Sequence, residues 1–188
     1  MSNFNAQLNE HEDPGMFSIR GDLDGGKENQ GYSDVKQFIG LLINDEEFLL
    51  PIEVMNEIIM VSQLTYVPSA PRFIEGVINL RGKILPAINL RKMMGHETAA
   101  PTMQSRIIIA HFEEHMVGLI VDGITYVISL NQEELQNQTL PGKGRSTELV
   151  SSISKRGDKV NGIIDIAKIM METGFDPNAK EEISENDS

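Results

Sequence analysis

The chain contains no cysteine and no tryptophan, which excludes disulfide frameworks and cysteine-ligated zinc. Aromatic residues make up 5% of it, a thin supply for the stacked platforms that single-stranded nucleic acid requires. No apolar run approaches the ~20 residues of a membrane-spanning helix. The first residues are polar and acidic, without the basic-then-apolar order of a signal peptide. A soluble, cytoplasmic protein is the expectation. Positive charge is also scarce: 16 basic against 28 acidic residues give a net charge of −12.

That charge sits at the ends. Residues 1–34 hold seven acids against two bases, and residues 173–188 hold five against one. The tails therefore carry −5 and −4, leaving −3 of the total −12 for the middle. Net charge thus describes solvated ends rather than a binding face. The leader, residues 1–34, lacks apolar periodicity and reads as disordered, with Met16, Phe17 and Ile19 as its one docking point. The middle, residues 35–172, is long enough to bury about two-thirds of its unfolded surface.

The middle repeats itself. "INLRGKILPAINLRKMM" (78–94) returns as "ISKRGDKVNGIIDIAKIMM" (153–171). Aligning Arg81-Gly82 with Arg156-Gly157 gives an offset of 75, and treating Asp158 as an insertion makes it 76 thereafter. Gly between alternating apolar runs signals a hairpin, and each copy ends in a short helical segment. Upstream, "QFIGLLINDEEFLLPIEVMNEII" (37–59) lies on "RIIIAHFEEHMVGLIVDGITYVI" (106–128) at an offset of 69. Phe38 then falls on Ile107, Glu53 on Asp122 and Ile58 on Val127. Two similar halves follow, 36–100 and 104–172.

Ten short runs rich in Ile, Val and Leu, five in each half, read as strands. Pro51 and Pro86 inside them mark edges or bulges, because proline donates nothing to a ladder. Two sets of five strands fit two small barrels better than one open sheet, since closure removes exposed edges. "VPSAPRF" (67–73) and "LPGKGRSTE" (140–148) are their linking loops.

Motifs with chemistry give way on inspection. "HFEEH" (111–115) has the H-x-x-E-H spacing of a zinc protease, but that motif needs a helix to put both rings on one face. Here β-rich runs flank it and Glu113-Glu114 occupy a hairpin turn. "GKGRST" (142–147) lacks the spacing of a phosphate-wrapping loop. "DLDGGKENQGYS" (22–33) lacks the sixth-position Gly and twelfth-position Glu of a calcium loop. Lys155, Arg156 and Lys159 form one small basic cluster, read as a solvated turn. No nucleophile signature such as G-x-S-x-G is present. No catalytic residue, metal site or cofactor is assigned, and a binding module is expected.

"VPSAPRFIEGVINLRGKILPAINLRKMMG" (67–95) resembles the CheW-like coupling domain of bacterial chemotaxis systems. So do "DEEFLLPIEVMNEII", "VGLIVDGITYVISLNQEEL" and "STELVSSISKRGDKVNGIIDIAKIM", and the resemblance covers residues 36–172. It implies an all-β fold of two SH3-like five-stranded β-barrels packed together, with short helices. It also implies a non-catalytic adaptor that binds chemoreceptor cytoplasmic tips and the regulatory domain of the histidine kinase CheA, with further CheW copies in rings. Localisation would be cytoplasmic, at membrane-associated arrays, without membrane insertion or nucleic acid.

The resemblance places a receptor groove on Met55, Glu57, Gly76, Arg81, Gly118, Ile124 and Val127. Met55, Ile124 and Val127 would supply apolar contact, Glu57 and Arg81 register, and the glycines close backbone approach. Arg81 can also be read as no more than the hairpin residue before Gly82. A kinase-facing surface falls on Leu135, Gln136 and Leu140, with Leu135 and Leu140 as exposed apolar contacts. Gln136 and Pro141 stand where the family has a basic and an aromatic residue. A coupling protein of a non-flagellar system, serving pili or another output, is the runner-up, and a nucleic-acid-binding barrel is the alternative of another class.

Overall fold

The computed structural model describes residues 35–138 and 144–174. The leader with Met16, Phe17 and Ile19, the tail from 175 onward, and Leu140 lie outside the described residues.

The repeat is written into the strand order. The first half supplies β1 (Lys36–Ile43), β2 (Glu46–Pro51), β3 (Met55–Met60), β4 (Ile74–Leu80) and β5 (Lys83–Asn89). The second supplies β6 (Arg106–Phe112), β7 (His115–Val121), β8 (Gly123–Leu130), the two-residue β9 (Leu135–Gln136), β10 (Val150–Arg156) and β11 (Lys159–Ile164). One sheet runs β3-β6-β7-β5-β4 and the other β8-β1-β2-β11-β10-β9. Exchanging β1, β2, β3, β4 and β5 for β6, β7, β8, β10 and β11 turns one order into the other. Each sheet therefore combines the first two strands of one half with the later strands of the other. The two sheets are interlaced and do not coincide with the two halves of the sequence.

Local details repeat as well. β5 pairs with β7 in parallel, Ala87 opposite Gly118, and β11 pairs with β2 in parallel, Gly162 opposite Phe48. A bulge interrupts β3 between Met55 and Glu57, and its counterpart lies in β8 between Ile124 and Val127. The hairpins correct one detail of the sequence alignment. Leu80 pairs with Lys83 and Arg156 with Lys159, a constant offset of 76. The turns are thus Arg81-Gly82 and Gly157-Asp158, and Asp158 is not an insertion. A motif alignment favours identical letters, whereas strand pairing fixes the turn by geometry.

Pro86 fits its strand because β5 pairs with β7 only from Ala87 onward, so the missing N–H faces no ladder. Short helices α1 (Leu90–Met93) and α3 (Ile166–Glu172) follow β5 and β11. Asn89 and Asp165 cap them, accepting from Lys92 N at 3.1 Å and Ala167 N at 3.0 Å. These two residues also sit 76 apart. A third helix, α2 (Arg145–Glu148), lies in the stretch expected to be loop.

Three apolar clusters result from period-two alternation. In β2, Phe48 and Leu50 join the largest cluster while Leu49, between them, joins a separate one with Phe38, Leu130 and Ile163. The largest cluster takes Leu41 and Phe48 from one sheet, Ile108 and Leu119 from the other, and Leu90, Met93 and Ile169 from the helices. It is the seam between the sheets. A third cluster, Ile78, Leu85, Ala87, Ile107, Ile109 and Ile120, belongs to the β3–β4 sheet alone.

The edge strands of that sheet, β3 and β4, are drawn together. Thr65, beyond β3, bridges Val77 of β4, and Arg81 at the β4–β5 turn donates to Glu57 of β3 at 3.0 Å. In the other sheet Gln136 pairs with Ile153 and Lys159 donates to the Tyr126 hydroxyl at 3.1 Å. Each sheet curls until a bridge and a side-chain contact join its edges, the SH3-like arrangement, without a continuous closing ladder.

Candidate functional site

Three of the residues expected in the receptor groove fall on one line across the β3–β4 sheet. Glu57 pairs with Ile109, Ile109 with Gly118, Gly118 with Ala87, and Ala87 with Gly76. Directly opposed residues share a face, and here it is the inner face, since Ile109 and Ala87 are fully buried in the sheet's own cluster. A Cβ on Gly118 would lie 3.0 Å from Ile107 Cγ2 and 3.2 Å from Ile78 Cδ1. A Cβ on Gly76, whose φ is +151°, would lie 2.4 Å from the Thr65 carbonyl oxygen. Both glycines therefore admit neighbouring parts of this chain. The expectation that they open space for a partner's backbone does not match that geometry. At Leu49, the counterpart of Gly118 by the offset of 69, the other sheet carries a full side chain.

Glu57 and Arg81 form the exposed end of the line. Arg81 takes a left-handed φ of +51° and Gly82 one of +85°, the conformation of a two-residue hairpin. Asn79 Oδ1 accepts the Gly82 N–H at 2.9 Å. The turn aims the Arg81 side chain outward, 79% exposed, against a Glu57 side chain that is 28% exposed. Arg81 is thus both a turn residue and a presented guanidinium. It has five N–H donors, and its hydrogen bond to Glu57 leaves others directed to solvent.

The apolar residues divide. Met55 and Ile124, equivalent positions on β3 and β8, are half-buried against the seam. Val127 is 59% exposed on β8, and its counterpart Ile58 is exposed on β3. Ile58 was absent from the expected groove, although the 69-residue offset already paired it with Val127.

The expected kinase-facing residues fare differently. Leu135 and Gln136 form β9 against Ser154 and Ile153. Leu135 is half-buried on the cluster of Phe38, Leu49, Leu130 and Ile163, so it is not the exposed contact expected. Burial of its branched side chain against that cluster outweighs exposure. A better-exposed apolar surface lies elsewhere. A cleft of about 690 Å³ is lined by Ile74, Ile84, Pro86, Met116 and Met170, with Ile84 71% exposed. Period-two alternation in "KILPAIN" points Leu85 inward and Ile84 outward, a signal available from sequence.

The motifs set aside earlier are placed as follows. His111 and His115 sit on the two strands of a hairpin, with Glu113 in its turn at φ +53°. His111 Nδ1 lies 2.8 Å from Asn56 Oδ1. Among the described residues no group of three or more His, Asp or Glu is placed to hold a metal ion. The basic cluster is largely neutralised: Arg156 pairs with Glu134 at 2.6 Å, and Lys159 pairs with Glu47 and stacks over Tyr126. Burial acts to raise the Glu47 pKa, but bonds from Lys159 and Thr125 outweigh it and hold the carboxyl below its ordinary value. Among the described residues no helix is long and apolar enough to cross a membrane.

Residues 37–173 match the CheW-like domain family. The chain belongs to the CheW-like family. The chemotaxis protein CheW of Helicobacter pylori is 28% identical over 157 residues, covering 82% of this chain and 93% of that protein. The crystal structure of the scaffolding protein TtCheW from Thermoanaerobacter tengcongensis matches with a TM-score of 0.64 at 34% identity, over 69% of this chain and 88% of that one. A shorter match, 28% over 86 residues, reaches PilI of Pseudomonas aeruginosa and covers 48% of it. In this CheW-like chain the line from Glu57 to Gly76, the Arg81 turn and Ile84 all belong to one sheet, formed by β3, β4 and β5 of the first half with β6 and β7 of the second, and α3 adds Met170 to the Ile84 cleft.

Proposed function

We propose that the chain is a non-catalytic chemotaxis adaptor, binding chemoreceptor cytoplasmic tips with one surface and the regulatory domain of a CheA kinase with another. Membership of the CheW-like family supports the adaptor role, and the outward-held Arg81 is the observation that carries the receptor surface. A guanidinium fixed by a turn and flanked by a carboxylate offers paired, charge-assisted hydrogen bonds to a helical hairpin. Val127 and Ile58 add exposed apolar area, while Met55 and Ile124 hold their strands on the seam. Gly76 and Gly118 serve this surface by letting the sheet curl tightly enough to bring Glu57 and Arg81 together. The Ile84 cleft is the apolar surface assigned to the kinase, with Leu135 and Gln136 supporting β10 rather than reaching a partner. The adaptor acts in the cytoplasm, at membrane-associated receptor arrays. The partial match to PilI favours, as a second reading, the same coupling role in a non-flagellar system.

Arg81→Glu tests the receptor surface. It sets a carboxylate beside Glu57 and removes the presented donors, so affinity for a receptor tip falls about tenfold or more. The fold survives, because an exposed ion pair contributes at most about 1 kcal/mol. Unchanged receptor-tip affinity in a folded variant would remove Arg81 from the site.

A further inference from the structure

A second concave site is lined by none of the residues named for either surface. Arg72 and Phe73 from the loop before β4, Lys92, Gly95, His96 and Thr98 from the end of α1 and beyond, and Arg145 from α2 line a cleft of about 420 Å³. Three segments far apart in sequence thus bring two guanidinium groups, an ammonium and an imidazole to one depression. Among the described residues no carboxylate lines it.

The donors there exceed their acceptors. Among the described residues the Arg72 side chain has no hydrogen bond or ion pair. Arg145 spends one donor on Glu172 at 2.8 Å and Lys92 one on Glu75 at 2.8 Å. A guanidinium carries five N–H donors and an ammonium three, so most remain available. The amide nitrogen of Asn44 lies 3.1 Å from His96 Nδ1, which makes Nδ1 the acceptor and puts the proton on Nε2. Nε2 is shielded from solvent and has no partner. A donor buried without an acceptor is costly, and the residue that carries it, His96, is among those lining the cationic cleft.

We propose that this cleft is an anion-binding site for a small molecule carrying two phosphate or carboxylate groups. Its volume lies in the range of small-ligand pockets and exceeds the needs of a single phosphate. Arginine supplies forked donors that match both kinds of oxyanion. A ligand held by Arg72, Lys92 and Arg145 together would tie the pre-β4 loop, α1 and α2 to one another. Binding to the folded chain alone raises its melting temperature by mass action.

The test is a titration of the full chain with pyrophosphate, and separately with citrate, at fixed ionic strength to hold screening constant. Melting temperature and calorimetric heat are the readouts. Saturable binding of either anion, weakened about tenfold by Arg72→Ala and unaffected by Lys155→Ala, supports the site. Arg72 has no partner within the described fold, so its replacement leaves the fold unchanged, and Lys155 is an exposed cation outside the cleft. Absence of saturable binding by both anions, or equal loss in the two variants, overturns the proposal.

Discussion

At the residue scale the inner line of the β3–β4 sheet concentrates the sharpest constraints. Gly76 faces a backbone carbonyl that cannot rotate away, and Gly118 faces two branched side chains in a packed cluster. Gly118→Val is expected to cost about 1–3 kcal/mol, the range for overpacking. Gly76→Ala is expected to cost at least as much, because its φ of +151° adds backbone strain to the contact with Thr65. Urea midpoints of the two variants check this, and wild-type midpoints would show that the sheet can relax around either site. Glu47 provides a pH test. Its folded pKa is held below the ordinary 4.5, so its stabilisation is fully present above that value and is lost as pH falls through the lowered one. Glu134, held low by Arg156 and the Asn131 N–H, has the same sign. Glu47→Gln is therefore expected to be less stable near neutrality and to lose less stability than wild type between about pH 5 and pH 3. Parallel acid unfolding curves for the two proteins would contradict that role. The sequence marked Arg81 but left its role open between turn and contact; the left-handed φ and the outward side chain give it both. Leu135 was misjudged because two residues of edge strand carry no periodicity from which to infer the buried side.

At the scale of elements, ten of the eleven strands were legible, since β-branched runs broken by Gly, Pro and acidic turns leave few alternatives. Their partners were less so. The repeat implies equivalent elements, and it is equally compatible with two separate sheets or two interlaced ones. Only the pairing of β1 and β2 with β8 and β11, and of β6 and β7 with β3 and β5, distinguishes these. Interlacing has a direct consequence for fragments. Residues 36–100 contain five strands, but β1 and β2 then lack both their outer neighbours, and β3 loses β6, its ladder partner. A fragment of residues 36–100 is expected to show no cooperative thermal transition, and to gain one when mixed with residues 104–174. A cooperative transition in the first fragment alone would mean that each half forms its own sheet.

For the molecule as a whole, the curled sheets meet at a seam built from both halves, and the β3–β4 sheet carries the Arg81 end of one proposed protein surface and the Ile84 strand of the other. The Ile84 cleft was missed because a lone outward Ile is ordinary in a strand; only the surrounding Pro86, Met116 and Met170 make it a surface. Ile84→Asp is expected to leave the melting temperature within a few degrees of wild type, as for most exposed positions, while weakening association with the kinase regulatory domain about tenfold or more, as loss of a central apolar anchor does. The adaptor account itself stands on one measurement, a calorimetric titration of the full chain with the regulatory domain of a CheA kinase from the same organism. Saturable one-to-one binding, reduced by Ile84→Asp, is the predicted result. Absence of binding to every CheA encoded there would contradict the account, leaving a CheW-like fold without the kinase half of its proposed function.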